Sequence, residues 1–192
     1  MLFGLFRRKT RTAEHEVYCA IVAQARQPEF YTSFGVPDTL DGRFDMIVAH
    51  AVLLFSRLRG QDKETSEFSQ YVFDLFFSDL DATLREQGVA DQRVPKKIKT
   101  MGEAFYGRAD VYVPALEQGD ALALCEAISR NIFPDEDAPA GARGLADYML
   151  AAHAALKDQD LKAILSAQIR FPDAADFAPG PGALSPKNTE TN

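Results

Sequence analysis

The chain has 192 residues, of which 46% are apolar and 26% charged, and its 28 acidic and 21 basic side chains give a net charge of −7. This length suits one domain, which can bury about 70% of the surface that its unfolded chain would expose. The negative charge disfavours DNA or other nucleic acid as the main partner, and two distant cysteines, Cys19 and Cys125, exclude a disulfide framework and favour a reducing compartment.

Residues 1–11 form an apolar and basic N-terminal segment. Its apolar residues precede its basic ones, which reverses the order of a secretory signal. Such a segment is either a weak contact with a membrane surface or a frayed basic tail. The predicted membrane contacts are Leu2, Phe3, Leu5, Phe6, Arg7 and Arg8. The longest apolar run, residues 46–55, is too short to span a bilayer, which takes about 20 residues.

Apolar positions recur at spacings of three and four, which predicts an all-α fold: a single compact helical bundle of about six to eight helices. The predicted helices cover residues 12–27, 38–59, 67–87, 94–107, 120–133, 142–157 and 160–169. We expect residues 12–133 to form the main helical domain, 134–142 a linker and 143–170 C-terminal helices packed on the domain. The proline-rich residues 171–192 predict a disordered C-terminal tail.

Proline, glycine and aspartate residues predict where these helices begin and end. Pro28 stops the first helix, and either Asp38 or Asp41 caps the second. Gly107 ends the fourth helix, and Asp120 caps the fifth.

The second and third helices are apolar over more of their circumference than a surface helix requires. They are therefore either the central hairpin of the bundle or, in part, a docking groove for a partner. Arg43, His50 and Arg57 are seven residues apart and predict an edge stripe that matches Asp74 and Asp81 on the third helix. His50 is then an edge histidine.

Two charged features need partners. Asp79 points into the apolar arc of the third helix, where an unpaired carboxylate is costly, so it should have a basic or hydrogen-bonding partner. Lys96, Lys97 and Lys99 lie in the first turns of the fourth helix, where positive charge opposes the helix dipole. They pair either with nearby carboxylates, Asp79 included, or with an external anionic partner such as lipid headgroups, ribosomal RNA or an acidic protein.

Catalytic and metal-binding patterns are absent from the sequence. It has no glycine-rich phosphate loop, and its three histidines are too far apart for metal-ligand spacing. We therefore expect no enzyme activity, no cofactor and no metal. A small-molecule enzyme using Asp79 or His50 is the weakest alternative.

Four stretches of the chain together resemble the ubiquinol-cytochrome c chaperone family of mitochondria and alphaproteobacteria. They are residues 30–45 (FYTSFGVPDTLDGRFD), 69–81 (SQYVFDLFFSDLD), 84–91 with 94–99 (LREQGVAD, VPKKIK), and 104–108 with 129–131 (AFYGR, SRN). The resemblance implies a helical, non-enzymatic assembly factor that binds newly made cytochrome b for the cytochrome bc1 complex. The mitochondrial relatives work with a small partner chaperone near the ribosomal tunnel exit, so the resemblance makes the ribosome and a small partner chaperone candidate partners here.

The resemblance also suggests a client-binding surface and a location. The predicted contact residues are Arg43, Asp45, Asp74, Asp79, Asp81, Lys96, Lys97, Lys99 and Arg108, with exposed members of Phe73, Phe76, Phe77, Phe105 and Tyr106. The expected location is cytoplasmic and peripheral on the inner membrane. The alternative function is a carrier of a small hydrophobic ligand, quinone or haem, in an enclosed cavity lined by the phenylalanines.

Overall fold

The computed structural model describes residues 11–134 and 140–180, and within these ranges the chain is helical and contains no strand. The all-α prediction is confirmed. The helices are α1 (Thr12–Ala25), α2 (Pro28–Thr32), α3 (Leu40–Leu58), α4 (Lys63–Glu86), α5 (Val94–Gln118), α6 (Ala121–Ile132), α7 (Ala140–Asp158) and α8 (Leu161–Leu165), followed by a short 3-10 helix, Ala174–Phe177.

Side-chain caps begin several of these helices, but not always the predicted ones. Thr39 caps α3, where its hydroxyl accepts a hydrogen bond from the backbone N–H of Gly42 at 3.1 Å. The prediction of Asp38 or Asp41 as the cap is therefore wrong. Asp120 caps α6 as predicted. Pro28 does follow α1, but it also starts α2, because its fixed φ suits the first position of a helix.

The helix α5 is longer than the sequence predicts: it passes through Gly107 and Pro114 and ends at Gln118, with Gly119 as its C-cap. Gly119 has a φ of +67°, a left-handed conformation in which glycine is favoured. An interior glycine costs a helix about 1 kcal/mol, and burial of Tyr112 and Leu116 beyond it outweighs that cost.

The centre of the bundle is α3, which packs against α1, α4, α5, α6 and α7. The expected charge match with α4 does not form. Arg57 donates instead to the backbone carbonyls of Leu156 and Gln159 near the end of α7.

His50 is fully buried, so its assignment to an exposed edge is wrong. Its Nδ1 lies 2.7 Å from the carbonyl oxygen of Met46, which can only accept, so Nδ1 carries the proton. The hydroxyl of Tyr148 then donates to His50 Nε2 at 2.8 Å, and the side-chain amide of Gln24 donates to that hydroxyl at 3.1 Å. This satisfied and inaccessible imidazole is part of the core, which argues against catalysis by His50.

The C-terminal part of the described chain completes this core. Gly141 and Ala142, placed in a linker by the sequence, are helical and buried. Residues 171–180 are not a disordered tail, because Ala174 is buried and the Phe177 ring packs on that of Tyr148 at 5.8 Å. The rest of the predicted tail, residues 181–192, and residues 135–139 of the predicted linker lie outside the described residues.

Candidate functional site

Five aromatic residues predicted as contacts meet where α4 packs against α5. Phe73, Phe76 and Phe77 belong to α4, while Phe105 and Tyr106 belong to α5. Ring centroids are 4.6 Å apart for Phe73 and Phe77, 5.3 Å for Phe73 and Phe105, and 5.5 Å for Phe105 and Tyr106. We call these five residues the aromatic cluster. Aromatic pairs of this kind contribute about 0.5–1.5 kcal/mol each beyond their buried area.

The cluster has a buried base and an exposed side. Phe76 and Phe105 are buried, whereas Phe73 and Phe77 are half-buried and Tyr106 is 58% exposed. Phe73, Phe77 and Tyr106 therefore form a partly exposed apolar surface, which we call the aromatic edge. The backbone of α5 passes close to Phe77 at Gly102, since a Cβ added to this glycine would lie 3.6 Å from the phenylalanine ring.

An open cleft of about 440 Å³ lies beside the aromatic cluster at the turn between α3 and α4. Phe55 and Phe73 form apolar parts of its wall, and Arg59, Ser66 and Gln70 add polar groups. The phenylalanines of the cluster pack on one another rather than around an enclosed space. This arrangement does not favour the carrier alternative, which needs a closed apolar cavity lined by these rings.

A buried ion pair lies next to the buried side of the aromatic cluster. The guanidinium of Arg108 lies 2.6 Å from the carboxylate of Asp45, whose side chain is only 6% exposed. Burial raises the pKa of Asp45 to about 7, and the positive charge of Arg108 offsets this only in part. Arg108 also lies 5.7 Å from the centre of the Phe44 ring, which stacks on Phe76. Asp45 was predicted to contact a partner, but its burial makes it a core residue.

The other predicted acidic contacts have local partners. Asp79 is exposed, so its predicted inward orientation is wrong. It does have the predicted hydrogen-bonding partner, because the Tyr18 hydroxyl donates to its carboxylate at 2.7 Å, and that partner is not a lysine. Asp74 accepts from its i−4 neighbour Gln70 at 2.8 Å, and Asp81 accepts from Arg85 at 2.6 Å.

The remaining predicted cation on α3, Arg43, is held by Asp38, with its Nε 2.6 Å from the carboxylate. Arg43 and Asp79 also line a second open cleft of about 210 Å³, whose floor includes Phe44 and Phe76. The two clefts therefore lie at different positions along α4, the first near residues 66–73 and the second near residues 76–83, and the aromatic cluster borders both.

The three lysines of α5 are all exposed. Lys99 lies 3.8 Å from Glu103 one turn later, while Lys96 and Lys97 make no ion pair with any other residue in the described parts of the chain. The predicted pairing with the carboxylates of α4 or with Asp91 is wrong, because Arg85 holds both Asp81 and Asp91.

Six predicted contact residues fall outside the described structure, and two observed contacts were not predicted from the sequence. The six proposed membrane contacts, Leu2 to Arg8, lie outside the described residues. Sequence patterns did not reveal Tyr18 as the partner of Asp79, because a pairing between α1 and α4 has no local signal. The role of Gly102 was also missed, although a glycine one turn before Tyr106 is a visible sign of close approach.

Comparison with known proteins agrees with the helical fold and identifies the family. The ubiquinol-cytochrome C chaperone family matches residues 32–171. The ubiquinol-cytochrome-c reductase complex assembly factor 1 of Xenopus laevis is 21% identical over 142 residues, which cover 73% of this chain and 70% of that protein. The crystal structure of the Cbp3 homolog from Brucella abortus has a TM-score of 0.82 and 40% identity, covering 91% of this chain and 98% of that one. This chain belongs to the ubiquinol-cytochrome c chaperone family.

Proposed function

We propose that this chaperone assists assembly of the cytochrome bc1 complex by binding newly made cytochrome b through the aromatic edge. The family match carries the chaperone function, and the Xenopus relative is named as an assembly factor of the same reductase complex. The mechanism is protection without catalysis: apolar client surface is covered until haem and partner subunits bury it.

The aromatic edge has the chemistry that an apolar client requires. Phe73, Phe77 and Tyr106 have large side chains with only two rotatable bonds each, so they lose little conformational entropy on binding. Large aromatic side chains dominate the binding energy of many protein interfaces. Asp74 and Asp81 are exposed or half-exposed on the same helix, α4. Their carboxylates complement the basic cytoplasmic loops that a membrane protein presents.

The proposed place of action is the cytoplasmic side of a bacterial inner membrane, where cytochrome b is inserted. In the described parts of the chain, no helix has both the length and the apolar character needed to cross a bilayer. Contact with the membrane is then peripheral, and residues 1–11 are one proposed point of contact.

Photo-crosslinking in cells tests this function. A photoreactive amino acid replaces Tyr106 in one strain and Leu122 in another, because Leu122 on α6 is similarly exposed, at 64%, but lies outside the aromatic cluster. We expect illumination to link cytochrome b to position 106 and not to position 122. Equal linkage from both positions, or none from position 106, would contradict the proposal.

Deletion of the chaperone provides the second arm. We expect the deletion to lower the amounts of cytochrome b and of assembled bc1 complex, and the wild-type chain to restore them. Unchanged cytochrome b in the deletion strain would show that this chain is not required for its assembly.

A further inference from the structure

We infer that Arg93, Lys96, Lys97 and Lys99 form a surface that binds the anionic phospholipid headgroups of a membrane. We call these four residues the basic patch. The inference extends the proposed function but does not depend on the identity of the client, because it concerns the chaperone and lipid alone.

The basic patch carries charge that the described protein does not neutralise. Residues 92–102 contain four basic and no acidic side chains. All four are exposed, and Arg93, Lys96 and Lys97 have no ion pair within the described parts of the chain. The nearest acidic residues in sequence are engaged, because Asp91 lies 2.6 Å from Arg85 and Glu103 lies 3.8 Å from Lys99.

Two lysines of the patch, Lys96 and Lys99, lie on the same side of α5 as Tyr106 of the aromatic edge, whereas Lys97, nine residues before Tyr106, lies on the opposite side of the helix. Lys96, Lys99 and Tyr106 are three and seven residues apart and are all exposed, so they form one stripe along the helix. The Tyr106 ring reaches Phe73 of the aromatic edge at 6.0 Å. A protein lying with Lys96 and Lys99 on a bilayer would therefore bring Tyr106 of the aromatic edge to the membrane in which an integral client resides.

Lipid fits this surface better than nucleic acid does. Four cations on a chain of net charge −7 offer few phosphate contacts, and the acidic remainder repels a long polyanion. An anionic bilayer needs only a local cluster, since each Lys or Arg near its surface strengthens binding by about fivefold. Tyrosine also prefers the membrane interface, where its ring is apolar and its hydroxyl remains hydrated.

Vesicle flotation of the purified full chain tests the inference. The vesicles contain either phosphatidylcholine alone or phosphatidylcholine with about 30% of the anionic lipid phosphatidylglycerol. The test variant is Lys96→Glu with Lys97→Glu. The matched control is Lys157→Glu with Lys162→Glu, which makes the same change of charge at exposed lysines of α7 and α8.

We expect the wild type to float with anionic vesicles only and to be released by salt. The test variant should bind at least about 25-fold more weakly, and the control should bind within about twofold of the wild type. Equal losses in both variants, or binding that disappears only when residues 1–10 are deleted, would overturn the inference. So would lysine-dependent binding to a single-stranded RNA in the absence of any binding to vesicles.

Two further measurements keep the result interpretable. Circular dichroism checks that the test variant is folded, and Lys96→Gln with Lys97→Gln repeats the test without adding negative charge. Crosslinking from Tyr106 is measured in parallel with this variant. If the lysine variant loses vesicle binding but still crosslinks to cytochrome b from position 106, the lipid surface is supported independently of client binding. If the chain with its native lysines does not crosslink from position 106, only the proposed function is contradicted.

Discussion

The guanidinium of Arg108 on α5 lies 2.6 Å from the carboxylate of Asp45 on α3, and together they form a buried ion pair next to the aromatic cluster. Removing one member leaves the other charge buried without a partner. At pH 8, where the folded Asp45 is ionised, replacing Arg108 by Leu should therefore lower the free energy of unfolding by about 3–5 kcal/mol. Urea denaturation measures this loss. Arg43→Leu, which breaks the exposed pair with Asp38, should change it little, and equal effects would contradict the special role of burial.

The raised pKa of Asp45 predicts a pH dependence of stability. Between its ordinary value near 3.8 and its folded value of about 7, the folded carboxyl retains a proton that the unfolded chain has released. Raising the pH through this window therefore lowers the free energy of unfolding, by about 1.4 kcal/mol for each unit of the shift. Asp45→Asn should lose this slope. Urea midpoints from pH 4 to pH 8 compare the two proteins, and parallel profiles would refute the assignment.

The buried His50 predicts the opposite pH dependence. Burial lowers the pKa of its imidazole from 6.5 to about 4, so between these values the unfolded chain binds a proton that the folded chain does not. Stability from this group is present above pH 6.5 and is lost as the pH falls toward 4. His50→Gln should remove this acid sensitivity, as measured by thermal unfolding at pH 4.5 and pH 7. A variant as acid-sensitive as the wild type would contradict this account.

The hydrogen bond between Tyr148 and His50 gives a separate prediction. Tyr148→Phe keeps the ring but removes the donor to His50 Nε2 and the acceptor for Gln24. A buried polar atom left without a partner costs about 1–3 kcal/mol, so the free energy of unfolding should fall by that amount. Tyr106→Phe is the control, because the Tyr106 hydroxyl belongs to an exposed side chain.

Two glycines in helices should respond in opposite ways to alanine. A Cβ at Gly42 would overlap the backbone carbonyl oxygen of Pro37, so Gly42→Ala should be strongly destabilising. A Cβ at Gly107 would meet nothing within 4 Å, and Gly107→Ala should stabilise α5 by about 0.5–1 kcal/mol. Melting temperatures of the two variants provide the test, and a fall in both would show that α5 needs a glycine at that position.

Stability and client binding should separate within the aromatic cluster. Phe76 is 3% exposed, so Phe76→Ala should cost about 3–5 kcal/mol of stability. Tyr106→Ala removes an exposed ring and should leave stability nearly unchanged while reducing cytochrome b in cells. Paired measurements of urea unfolding and cytochrome b abundance distinguish the two effects. A Tyr106→Ala strain with normal cytochrome b would place client binding elsewhere.

Helix content and the aromatic cluster follow from local sequence. Phe73, Phe76 and Phe77 fall at helical spacing, and Asp120 is a residue type that caps helices, so both features are visible without a structure. The end of α5 is not visible, because burial of Tyr112 beyond Gly107 comes from contacts with other helices. Local propensity is overridden there by tertiary packing.

The partners of charged residues were harder to predict than the helices. His50 was assigned to an edge because its spacing matched Arg43 and Arg57, yet its partner Tyr148 lies on a helix almost a hundred residues later. Asp79 similarly finds Tyr18 on α1, and no periodicity links those two positions. Long-range pairing depends on how helices are arranged, which the pattern of one helix does not contain.

The packing of residues 171–180 has a consequence for how the chain is made. The Phe171 ring lies 5.3 Å from that of His50, and Phe177 covers Tyr148, so the centre of the bundle is sealed by some of the last described residues to be synthesised. A nascent chain that has emerged only as far as α6 exposes the apolar surface of α3 that α7 will later bury. During its own synthesis this protein therefore exposes apolar surface that is prone to aggregate. We expect it to protect another polypeptide only after its C-terminal segment has docked.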